Sequence, residues 1–76
     1  MAVTTDARPR RFVLRRNEDE TGISGTGIVA EGCQFAKGWC VLAWLTEFTS
    51  VGVYPSIEEL DAIHGHGGRT VVEWID

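Results

Sequence analysis

A single change of hydrophobic period constrains this chain more than any other feature. Up to Tyr54 the apolar residues fall in short runs that alternate or are apolar throughout. Residues 56–65 switch to helical spacing, and residues 70–75 (TVVEWI) switch back. A repeat of two belongs to a strand and a repeat near 3.6 to a helix, so the order reads as four strands, one helical turn and one strand.

Residues 10–16 (RRFVLRR) put Phe12 and Leu14 on one side of a first strand and Arg11, Val13 and Arg15 on the other. Residues 25–35 make a second strand, bent or bulged at its glycines, because Gly in a strand marks a bend or a close backbone approach. Ala36-Lys37-Gly38 is a hairpin turn with Gly38 placed for positive φ. Residues 39–45 (WCVLAWL) follow as the most apolar, central strand. Cys40, Leu42 and Trp44 share one of its faces, and Trp39, Val41 and Ala43 the other. Residues 50–54 (SVGVY) stop at Pro55, which removes a ladder donor. Ser56-Ile57-Glu58-Glu59 fits the capping box that opens a helix. Ile57, Leu60 and Ile63 then recur at helical spacing, and Gly65 sits where a left-handed C-cap belongs. On the last strand Val72 and Trp74 face inward.

Nine Gly against two Pro suit short strands joined by tight turns. Five short strands with one helical turn before the last predict a mainly β fold, laid out as a small SH3-like barrel. An OB-like barrel, whose helix falls earlier, and an open curled antiparallel sheet are the alternatives. A chain of 76 residues holds one thin-cored domain, burying roughly 60–65% of its unfolded surface. Residues 1–9 read as a flexible lead-in and residues 10–76 as that domain.

The net charge of −4 divides unevenly: the first 16 residues carry +4 and the remainder −8. Arg8, Arg10, Arg11, Arg15 and Arg16 supply the positive end, a pattern able to hold nucleic acid or an acidic partner. The plainer reading is a solubilising tail followed by a strand with a basic outer face. No apolar run approaches the roughly 18–20 residues that cross a bilayer, and the charged N-terminus lacks the apolar stretch of a secretory signal. A cytoplasmic protein that makes no membrane contact is therefore expected. Cys33 and Cys40 are too few for a secreted disulfide framework and read as reduced core residues.

The candidate chemical motifs fail on geometry. Zinc takes four ligands delivered by closely spaced Cys and His pairs. Here six residues separate the cysteines and one separates His64 from His66. A hairpin turning at residues 36–38 sets Cys33 opposite Val41 and points Cys40 to the other face, which disfavours both a shared metal and a disulfide. Residues 25–30 (GTGIVA) match the dinucleotide fingerprint G-x-G-x-x-G/A, whose chemistry needs a helix after the turn. Ile28-Val29 continues a strand instead. Glu58, Glu59 and Asp61 read as the wet face of the short helix, and no nucleophile motif is present. The chain is accordingly expected to be no enzyme and to need no metal or cofactor.

Aromatic residues carry the functional expectation. Three Trp, three Phe and one Tyr are many for so thin a core. Trp39 and Phe48, at a strand end and in a loop, are the two expected to be partly exposed, and exposed Trp is a frequent interface anchor. Together with Ser24 and Thr26 in the glycine-rich loop of residues 22–27, they form the candidate interaction surface. His64 and His66 read as flanks of a glycine-rich turn.

The string SGTGIVAEG at residues 24–32, followed by SIEEL and by IHGHGGRT at residues 63–70, resembles a family of short proteins of actinobacteria and of their phages and prophages. The resemblance covers residues 11–76. Members of that family often have Asp where this chain has Lys37 and Arg where it has Ala43, both positions read as exposed. The resemblance brings no activity and no catalytic residues. It implies a phage- or prophage-linked accessory protein that binds a host protein or associates with itself, in the host cytoplasm. Nucleic-acid binding through the five arginines is the alternative.

Overall fold

A computed structural model of the protein describes residues 8–17 and 27–76, the side chain of His66 apart. Its elements are β1 (Arg10–Arg16), β2 (Gly27–Gln34), β3 (Cys40–Trp44), β4 (Val51–Tyr54), α1 (Ile57–His64), a 3-10 turn (His66–Gly68) and β5 (Thr70–Trp74). All ladders are antiparallel, in the order β4-β3-β2-β1-β5. The first four strands are thus a meander. After β4, at one edge, α1 carries the chain to the far side of β1, where β5 pairs. The helix touches both edge strands. Among the described residues no ladder joins β4 to β5, so the mainly β, five-stranded layout takes its open form.

The core lies on one face of the sheet. Phe12 and Leu14 from β1, Val29 and Ala30 from β2, Cys40 and Leu42 from β3, and Leu60 from α1 are buried together. Trp44, Tyr54, Ile57, Val72 and Trp74 pack around them. The Phe12 ring meets Trp74 edge-on, with centroids 5.4 Å apart, a geometry favoured by the ring quadrupoles.

Two glycine expectations need correcting. The bulge in β2 falls at Val29, since Leu14 pairs with Ala30 and Arg15 with Ile28. One extra residue lets Val29 and Ala30 both turn inward, breaking the alternation. Gly32 stays in register opposite Phe12 and serves close approach instead. A Cβ there would lie 2.5 Å from the Val41 carbonyl oxygen and 2.6 Å from the Phe12 ring. Gly65 is right-handed, with φ −72°. The left-handed residues of this turn are Gly67 and Gly68, at φ 64° and 94°. The Gly65 carbonyl accepts from the N–H groups of Gly68 and Thr70, and the chain reverses at residues 67–68, two residues past the expected C-cap.

The helix starts as its sequence specifies: the Glu59 N–H donates to Ser56 Oγ over 3.1 Å. Its inward stripe is Ile57, Leu60 and His64 rather than Ile57, Leu60 and Ile63. A step of 100° per residue brings position 64 within about 20° of position 57 and swings position 63 well away. Leu60 is fully buried and Ile63 is 58% exposed.

Candidate docking face

Strand pairing assembles the outer face of the sheet in rows. One row is Arg11, Cys33, Val41 and Val53, from β1 to β4. The next is Val13, Glu31, Ala43 and Val51. Alternation adds Phe35 and Trp39, which flank the β2–β3 turn, and Ile75 after β5. Val51, Val53, Phe35, Trp39 and Ile75 are among the large apolar residues left exposed. Only one face of a single sheet can meet the core, and the opposite face here is apolar as well. Between its strands runs a shallow groove of about 490 Å³, its lining mostly apolar (Cys33, Phe35, Val41 and Ile75 among others) with Arg11 and Glu31 as charged members.

Ion pairs rim this face along β1 and β5. Arg11 grips Asp76 through Nε at 2.8 Å and Nη2 at 2.7 Å, and its backbone N–H donates to the same carboxylate at 3.1 Å. The guanidinium bonds first, and the N–H after them, hold Asp76 down to a pKa of about 2. Arg15 Nε donates to Glu73 at 2.6 Å and holds that carboxyl below its ordinary range. Each guanidinium is raised in turn, first by the hydrogen bond to its carboxylate. Arg10 lies over the Trp74 ring, 4.0 Å from its centroid.

The sequence-derived candidates separate on this geometry. Trp39, 51% exposed, stands at the end of the apolar face. Phe48, 82% exposed, projects from the β3–β4 connection. Ser24 and Thr26 lie outside the described residues. Of the arginines, Arg10, Arg11 and Arg15 have the partners just described; Arg8 is exposed and Arg16 half-buried. Lys37 is exposed, whereas Ala43, read as exposed, is half-buried in the middle of the face. Sequence reasoning passed over Val51, Val53, Phe35 and Ile75. Their signal was partly there: residues 39–45 are apolar at both parities, Val51 and Val53 share one parity of residues 50–54, and among the described residues one short helix covers only one face of the sheet.

His64 belongs to the other face. Its Nε2 is 2.7 Å from the Tyr54 hydroxyl, and its ring meets Trp44 edge-on with centroids 5.0 Å apart. Cys33 and Cys40 are free thiols on opposite faces, and burial pushes the Cys40 thiol up. Among the described residues no three His, Cys, Asp or Glu side chains gather as a metal site would need. None of the described helices is long and apolar enough to cross a membrane.

Comparison with known proteins adds one decisive finding: the Acb5 phage protein family matches residues 9–76. The chain belongs to the Acb5 phage protein family. That match spans every described strand and the helix, so the family's shared unit is the whole sheet together with its crossover. No curated protein and no solved structure matches the chain.

Proposed function

We propose that this Acb5-family protein is a non-enzymatic phage accessory protein that binds a host protein through the outer face of its sheet. The observation that carries this reading is the apolar surface on which Val53, Ile75 and Phe35 are exposed, with half-buried Val41 and Cys33 between them. Contiguous exposed apolar surface is costly in water and marks a place where another surface docks. The groove supplies a floor, Phe35 and Trp39 supply anchors, and the Arg11–Asp76 pair supplies a polar rim, the arrangement usual in protein interfaces. The family supports a phage setting. The SGTG-x-VAEG and IHGHGG-x-T motifs support an actinobacterial host, and its cytoplasm is where such a binder would meet its target.

The nucleic-acid alternative draws less support. Arg11 and Arg15 spend their charge on Asp76 and Glu73, and Arg10 stacks on Trp74. The discriminating experiment is capture from actinobacterial lysate by the tagged protein, run at low and high salt with nuclease. A protein retained under all conditions by the wild type and lost with Trp39→Ala supports the docking face. Capture abolished by nuclease or salt favours nucleic acid, because phosphate contacts weaken as counterions are added.

A further inference from the structure

We propose that two copies of this chain pair edge to edge through β4, antiparallel and centred on Gly52, joining their sheets into one. The inference goes beyond the docking face and does not depend on it. It begins with the free edge of β4. Trp44 N–H donates to the Ser50 carbonyl, so the hydrogen-bonded pairs of this ladder are Trp44–Ser50, Leu42–Gly52 and Cys40–Tyr54. Val51 and Val53 therefore direct their N–H and C=O groups away from β3, toward an edge that no other described strand occupies. Both residues are well exposed, at 67% and 62%.

The two edges of the sheet are defended differently. Sheet edges are usually kept from pairing by charge, Pro or a bulge. The β5 edge has Glu73 within the strand, with Arg69 before it and Asp76 after it. Residues 50–54 (SVGVY) contain no charge at all, and Pro55 stands only after the strand. In a chain of net charge −4 this neutral stretch lets a second copy approach without like charges meeting.

The sequence also selects the register. With Gly52 on the two-fold axis, Val51 faces Val53 of the second copy, and the outward backbone groups form four hydrogen bonds. Both valine pairs fall on the outer face and extend its apolar surface, and β-branched cross-strand pairs are favourable. Centring on Val53 would set Val51 against Pro55, which has no N–H to give. Centring on Val51 would give up a valine partner for Thr49.

Sedimentation of the full chain across roughly the 10–500 µM range, where small interfaces associate, tests the proposal. The wild type is expected to shift from monomer to dimer as concentration rises. Val51→Lys/Val53→Lys, which opposes like charges in both pairs, is expected to weaken association about tenfold or more. Val51→Lys/Val53→Glu, which opposes unlike charges in this register alone, is expected to restore it. In the wild type itself, the Val51 and Val53 amides should gain exchange protection with concentration, while those of Gly52 and Tyr54 do not change. A monomer throughout the range, a dimer indifferent to the double lysine variant, or amides that gain no protection would each overturn the proposal.

Discussion

Phe12 depends on what Gly32 lacks. Its ring fills the space that a Cβ at position 32 would take, and that Cβ would also press on a backbone oxygen that cannot swing aside. Gly32→Ala is therefore expected to destabilise the fold by about 1–3 kcal/mol, the usual cost of overpacking, as read by chemical denaturation. One residue along β1, Arg11 lowers the Asp76 pKa from 3.8 to about 2. A folded-state pKa below the unfolded one gives stability that is present above about pH 3.8 and lost as pH falls through 2. Asp76→Asn should thus lower the melting temperature at neutral pH, with the gap to wild type closing between those two values. Single residues were unevenly legible in the sequence. Trp39 and Phe48 could be placed at exposed ends, because turn signals bracket them. Ile57, Leu60 and Ile63 recur at helical spacing in the sequence, whereas the inward slot one turn after Leu60 goes to His64, whose ring nitrogen meets the Tyr54 hydroxyl.

At the scale of elements, the helix shows how few residues decide a boundary. Ser56 Oγ accepts the Glu59 N–H at the start of a helix only two turns long, so Ser56→Ala is expected to cost about 1 kcal/mol. Leu60 is the one residue of α1 buried in the core. Leu60→Ala should cost about 2–4 kcal/mol and loosen the contacts of α1 with β4 and β5, seen as faster amide exchange in both. The strands were legible because Gly38 and Pro55 punctuate them and because tertiary pairing agrees with their local period. The end of the helix was not. Gly65, Gly67 and Gly68 all permit a left-handed turn, and only the hydrogen bonds to the Gly65 carbonyl decide among them. The bulge at Val29 left no local mark either, being set by how β2 fits against β1.

At the scale of the whole molecule, the governing fact among the described residues is one sheet and one short helix, with a largely apolar outer face that the helix does not cover. Apolar residues at both parities of residues 39–45 fit a central strand, and Val51 and Val53 share one parity of residues 50–54. The face became visible only when strand order placed Val53, Val41 and Cys33 in one row. Whether that face or the arginines make the contact can be decided by one comparison. The affinity of the host protein retained by the wild type would be measured for Phe35→Ala/Trp39→Ala and for Arg8→Ala/Arg16→Ala, all with melting temperatures checked. Loss of about tenfold or more in the aromatic variant, with the arginine variant within about twofold and little salt dependence, is the result this account requires. Retained affinity in a folded aromatic variant, together with a collapse in the arginine variant, would contradict it.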